Sequence, residues 1–144
     1  MGNTVTRAYL AFDYGIKQIG VAVGGSHSGR AEALANVHAG RDGPDWTHIS
    51  RLIAEWRPHA LVVGLPLNMD DSANVMTAAA RAFGKRLQDR YNLPVHMVDE
   101  RLTSVDAKNA LIEAGVRFKR RKQQVDKLAA QAILQAFLND GAKP

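Results

Sequence analysis

Arg7-Ala8-Tyr9-Leu10-Ala11-Phe12-Asp13-Tyr14-Gly15-Ile16-Lys17-Gln18-Ile19-Gly20-Val21-Ala22-Val23-Gly24 decides the fold. Ala8 to Phe12 is apolar at every position, the mark of a strand buried on both faces. Gly15 allows a turn, and Gln18 to Gly24 returns as a second strand, so the pair reads as an antiparallel hairpin. Gly24, Gly25 and Gly29 surround the next loop, and Ala33-Leu34-Ala35-Asn36-Val37 is a weaker third strand.

Beyond this stretch the apolar period changes from two to between three and four. Pro44 suits a first helical position, and Trp46, Ile49, Leu52, Ile53 and Trp56 fall on one stripe until Pro58 stops the helix. His59 to Gly64 is a short β-branched run. Ser72 is the expected cap of a second helix carrying Val75, Met76, Ala79, Phe83 and Leu87. Pro94 to Val98 is another strand, ending in Asp99-Glu100-Arg101. Thr103 with Asp106 resembles a capping box for a third helix, and a last helix carries Val125, Leu128, Ala129, Ala132 and Ala136. The order βββ-α-β-α-β-α-α predicts an α/β fold. Its sheet is mixed and five-stranded, a three-strand antiparallel meander plus two parallel strands, flanked by helices.

A chain of 144 residues suits a single domain over 1–144. With no cysteine there is no disulfide scaffold, thiolate zinc site or cysteine nucleophile, and a reducing compartment is the default. No apolar run reaches a membrane span and the N-terminus lacks a signal-peptide pattern, so the expected location is the cytoplasm. Lysine and arginine number 19 against 14 acids, a net charge of +5. Arg117, Lys119, Arg120, Arg121 and Lys122 carry +5 within six residues, leaving the remainder neutral. Such a cluster points to nucleic acid, with a solvated loop as the plain alternative.

Sites in open α/β sheets gather at the carboxyl ends of strands. Asp13 ends the first strand and Asp99 and Glu100 the last, while Asp126 stands in the expected first turn of the final helix beside the apolar Ala130, Ile133 and Phe137. Singly each has a plain role: a turn, a surface ion pair, or a complement to the helix dipole. Jointly, carboxylates in apolar surroundings are costly unless a cation neutralises them. Carboxylates without cysteine or a histidine pair suit Mg²⁺ or Mn²⁺, and two such ions can activate a water and hold the leaving oxygen of a phosphodiester. His27, His38, His48, His59 and His96 are scattered, and Trp46 and Trp56 read as core.

The hairpin from Phe12 to Gly24 resembles the opening of the YqgF/RuvX family, known both as Holliday-junction resolvases and as pre-ribosomal-RNA nucleases. Val62-Val63-Gly64-Leu65-Pro66-Leu67-Asn68-Met69-Asp70, Asp99-Glu100-Arg101-Leu102-Thr103-Ser104 and the helix from Asp126 to Leu138 match its later blocks in order. The resemblance implies an RNase H-like fold and a metal-dependent nuclease. It assigns the catalytic, metal-holding acids to Asp13, Glu100 and Asp126, with Lys17, Asn68 and Arg101 beside them. Asp71 and Lys127-Leu128 depart from the usual pattern without removing a carboxylate.

The implied substrate is structured RNA, namely the immature 5′ end of small-subunit ribosomal RNA, with branched DNA as the alternative under the same mechanism. Two other classes compete. The Asp-x-Gly hairpin also resembles the phosphate loop of the actin and hexokinase group, but those proteins enclose ATP between two such domains. A non-catalytic nucleic-acid-binding factor would need none of the three acids.

Overall fold

A computed structural model of the chain describes residues 7–67, 70, 72–99 and 118–140, with side chains from Leu128 onward in the last stretch. In chain order the elements are β1 (Ala8–Asp13), β2 (Gln18–Gly25), β3 (Ala31–Gly40), β4 (Gly43–Pro44), α1 (Trp46–Trp56), β5 (Ala60–Leu65), α2 (Val75–Tyr91), β6 (Val95–Asp99) and α3 (Phe118–Asn139). The sheet runs β4-β3-β2-β1-β5-β6. β1 pairs antiparallel with β2 and parallel with β5, and β6 pairs parallel with β5. The apolar run after Arg7 is therefore central, and Tyr9, Leu10, Ala11 and Phe12 are all buried.

Alternation along β1 divides the core in two. Leu10 and Phe12 face α1 and α2, meeting Ile49, Leu52, Phe83 and Leu87. Tyr9 and Ala11 face α3, meeting Ala130, Ile133, Leu134 and Leu138. Two of the three described helices, α3 and α2, are seated by a glycine. A Cβ on Gly24 in β2 would stand 2.7 Å from the Arg30 carbonyl oxygen and 3.0–3.1 Å from methyl groups of Leu138 and Leu134, so only glycine lets α3 lie this close. A Cβ on Gly84 in α2 would stand 3.3 Å from Met97 Sδ, where α2 crosses β6. Gln135 fixes α3 lengthwise: its Oε1 accepts from the Ala31 N–H at 2.9 Å, and its Nε2 donates to the Gly29 carbonyl at 2.8 Å. Gln131 Nε2 adds a bond to the Ala31 carbonyl at 3.0 Å.

A line of rings ties the first hairpin to the outer helices. Tyr14 tilts on Phe83 at 4.9 Å between centroids, and Phe83 stacks on Trp46 at 5.8 Å. The Arg90 and Arg86 guanidinium carbons lie 4.3 Å and 5.1 Å from the Trp46 ring centre. Ser50 Oγ and Tyr91 Oη share a hydrogen bond of 2.7 Å that joins α1 to the end of α2.

Several expectations need correction. The sheet has six strands because Gly43–Pro44 folds back on the end of β3 as a two-residue edge strand, and β3 itself extends over Ala31–Gly40. Pro44, lacking an N–H, is tolerated at that edge. It therefore precedes α1, whose cap is Asp45, with its carboxylate accepting from the His48 N–H. Ser72 is not the cap of α2: it donates N–H and Oγ–H to Asp70 Oδ1. Asn74 caps instead, in a reciprocal box with Thr77, and the buried Thr77 hydroxyl also donates to the Pro66 carbonyl. Trp56 is 37% exposed rather than core. The expected helix after Thr103 lies outside the described residues. The basic run does not separate two helices over its whole length, because α3 already begins at Phe118. Lysine and arginine are good helix formers, so the helix continues back through them. Asp126 consequently stands in the third turn, not the first.

Candidate functional site

β1, β5 and β6 run parallel and end together, and their carboxyl ends make one edge of the sheet. Asp13 is the last residue of β1 and is half-buried. Parity puts it on the α3 face with Tyr9 and Ala11. Its partner on β2 is Gly20, which presents no side chain, and Gly20 pairs in turn with Asn36 on β3. Asp13, Gly20 and Asn36 thus form one row on the same face. Nothing local in the sequence marks Asn36; only the strand register brings it to this row.

The second acid of the described set behaves differently. Asp99 ends β6 opposite Leu65, two strands from β1 and roughly 10 Å away at the usual strand spacing. Val95 and Met97 pack on the α2 side, so by alternation Asp99 belongs to the face opposite Asp13. Glu100, next in the chain, lies outside the described residues, as do Asn68, Arg101 and Arg117.

Asp126 is reached along α3. Phe137 packs on Tyr9 at 5.2 Å between centroids, near the start of β1. From Phe137 back to Asp126 the helix axis covers about 16 Å at 1.5 Å per residue. From Tyr9 forward to Asp13 the strand covers about 13 Å. Leu134 and Leu138 sit at Gly24 by the far end of the sheet, and Gln131 and Gln135 both bond Ala31, the partner of Gly24 on β3. Position 126 lies about three turns back along α3 from Phe137, and its side chain lies outside the described residues. Lys119, Arg120, Arg121 and Lys122 occupy the turns before it, and no acid stands in the first turn of α3. Cations at a helix N-terminus oppose the macrodipole, so this end of α3 favours an anion.

Lys17 stands exposed in the hairpin turn beyond Asp13, its carbonyl accepting from the Ala39 N–H at 2.9 Å. Among the described residues no set of three His, Asp or Glu side chains gathers around a metal position; Glu100 and the Asp126 side chain lie outside that description. His96, on the α3 side of β6, packs its ring on Phe137 at 5.1 Å, away from the Asp13 end.

A family model described as RuvX, Holliday junction resolvase, matches residues 7–140. The chain belongs to the RuvX family. A relative from Pseudomonas putida, named "Putative pre-16S rRNA nuclease", is 50% identical over 133 residues, covering 92% of this chain and 94% of its own. One from Neisseria gonorrhoeae with the same name is 48% identical over 132 residues, covering 92% and 87%. Among solved structures, RuvC of Thermus thermophilus in complex with a Holliday junction substrate is similar at a TM-score of 0.54 and 17% identity, covering 95% of this chain and 97% of that one. The fowlpox virus resolvase bound to Holliday junction DNA follows at 0.50 and 10% identity, covering 94% and 99%. These likenesses establish the fold of this RuvX-family chain as RNase H-like, in agreement with the motifs of its opening hairpin.

Proposed function

We propose that this chain is a metal-dependent nuclease that hydrolyses phosphodiester bonds, maturing the 5′ end of the 16S ribosomal RNA precursor in the cytoplasm during ribosome biogenesis. The observation that carries the reading is Asp13, half-buried at the carboxyl end of the central strand β1 on the face that α3 covers, in a chain that belongs to the RuvX family. Relatives at 47–50% identity bear the name of that activity. The opposite parity of Asp99 supports assigning the remaining acid to Glu100. Among the described residues no helix is long and apolar enough to cross a membrane.

The donor set suits a hard cation: carboxylate oxygens, in a chain without cysteine. Asp13, Glu100 and Asp126 would hold Mg²⁺ or Mn²⁺, and a pair of such ions supplies a water of lowered pKa and stabilisation of the leaving oxygen. Asp13 is the rigid member, because its strand is hydrogen-bonded on both sides. Lys17, Asn68 and Arg101 orient the scissile phosphate. Arg117, Lys119, Arg120, Arg121 and Lys122 hold the backbone on either side without reading bases.

The family description favours one second reading, a resolvase acting on branched DNA. Incubating one preparation with a 16S precursor and with a four-way DNA junction, with and without Mn²⁺, separates the two. Mn²⁺-dependent cleavage of the precursor is the expected result. Cleavage of the junction alone moves the function to DNA, and cleavage of neither leaves a non-catalytic binding factor.

A further inference from the structure

Two arginines share one ring. The Arg90 and Arg86 guanidinium carbons lie 4.3 Å and 5.1 Å from the centre of the Trp46 ring. They stand four residues apart on α2, a spacing at which like charges repel. Arg90 has a local reason for its place: it occupies the last turn of α2, where a cation complements the helix dipole. Arg86 lies a turn earlier and has no such reason. One guanidinium over Trp46 already ties α2 to α1, so the second adds repulsion to a contact that is made.

The nearby acids in the chain are engaged elsewhere. Asp89 pairs with Lys85 at 3.4 Å, and Asp45, beside Trp46, accepts from the His48 N–H as the cap of α1. Among the described residues, neither Arg86 nor Arg90 has an ion pair or a hydrogen bond. A guanidinium over a ring uses its flat face and keeps its in-plane N–H donors for other partners. Both arginines are exposed. The frame that carries them is fixed from both helices. Phe83 of α2 stacks on Trp46 at 5.8 Å, and Ser50 Oγ of α1 shares a 2.7 Å hydrogen bond with Tyr91 Oη of α2. The ring and both cations are thus held at a set spacing before any ligand arrives.

We propose that Arg86, Arg90 and Trp46 form a binding site for a phosphate monoester group, separate from the carboxylates. Two guanidinium carbons within 5.1 Å of one ring centre can both reach a single phosphate. A carboxylate offers two oxygens, which one fork satisfies. A terminal phosphate offers three acceptor oxygens and about −1.5 to −2 charge at pH 7, which suits two forks. Inorganic phosphate and the 5′-phosphate end of an RNA chain carry this same chemistry. The site packs with the Leu10 and Phe12 side of the sheet, the face opposite Asp13, and does not depend on the nuclease reading.

The test uses the ring itself. Trp56→Phe leaves Trp46 as the sole tryptophan, and its emission is titrated with sodium phosphate against sodium chloride at matched ionic strength. A saturable phosphate response with half-saturation in the millimolar range or below is expected, as charge-assisted contacts of usual strength give. Isothermal titration of the same protein carrying Arg86→Gln/Arg90→Gln should show affinity reduced at least about tenfold. Melting curves check that this variant folds; if it does not, Arg86→Gln alone, with Arg90 left on the ring, makes the same comparison. Equal responses to phosphate and chloride, or phosphate affinity unchanged by the glutamines, overturns the site. Single-stranded RNA 10-mers in EDTA, with a 5′-phosphate and with a 5′-hydroxyl, separate the sources. Displacement of phosphate by the phosphorylated RNA alone makes the ligand an RNA end, and displacement by neither makes it the free anion; both uphold the site. Equal displacement by the two RNAs, lost with the glutamines, means that backbone phosphodiesters bind there and overturns the monoester assignment.

Discussion

Replacing Gly24 by alanine should unseat α3. The added Cβ would stand 2.7 Å from the Arg30 carbonyl oxygen, a separation that real Cβ atoms essentially never show. That oxygen belongs to the main chain and cannot swing aside as a side chain can. The same Cβ meets Leu138 Cδ1 at 3.0 Å and Leu134 Cδ2 at 3.1 Å, both on the buried face of α3. Either the β2–β3 connection or the helix must shift. Overpacking of this kind costs about 1–3 kcal/mol. At about 3–4 °C per kcal/mol for a chain of this length, the melting temperature should fall by about 3–12 °C. Urea unfolding should show a lower midpoint with an unchanged m-value, since the exposed area is the same. Because α3 also carries Asp126, metal-dependent cleavage should fall further than stability explains. Gly29→Asn is the control: its Cβ meets open space, and asparagine tolerates the left-handed φ of 67° there. A Gly24→Ala protein that melts with wild type would refute the claim that this glycine sets the depth of α3.

Three other outcomes follow from the site. Asp13→Asn keeps shape and removes charge, so cleavage should vanish while the circular dichroism spectrum and melting stay near wild type; full turnover in a nuclease-free preparation would sink the carboxylate mechanism. Mg²⁺ or Mn²⁺ should raise the melting temperature by mass action, and Asp126→Asn should both stabilise the metal-free protein and shrink that rise, because crowded carboxylates repel one another. Scanning calorimetry with and without metal checks this, and no metal response in either protein would exclude a site. Replacing Arg117, Lys119, Arg120, Arg121 and Lys122 with glutamine should flatten the salt slope of RNA binding by roughly 2, if about three of them touch phosphate; an unchanged slope would make the run a solvated surface.

The central hairpin was legible because Ala8 to Phe12 is apolar on both faces, a pattern that few alternatives satisfy. The strand and helix alternation that follows was legible for the same reason. Boundaries were harder. Pro44 satisfies a first helical turn and an edge strand equally well, and only its pairing with Ala39 decides. Ser72 and Asn74 are both competent caps; the choice fell to Asn74 because Thr77 can answer it three residues on. The start of α3 was misread because a dense basic run looks like a loop, although each of its residues is at home in a helix. At the site, Asp13 was visible as a strand end, but the parity that separates Asp99 from it needs the sheet register. Asn36 enters the same row through two pairings that no local pattern encodes.

The ring line from Tyr14 to Trp46 has an optical consequence. The chain has two tryptophans, at opposite ends of α1. Trp46 lies against Phe83 and beneath two guanidinium groups, whereas Trp56 is 37% exposed. Their emission should therefore separate under a collisional quencher, with Trp56 extinguished first. What remains comes from a fluorophore two rings removed from Tyr14, the neighbour of Asp13 in the chain. The protein thus carries its own dye at the back of the hairpin, and the integrity of that ring line becomes readable as light without a label.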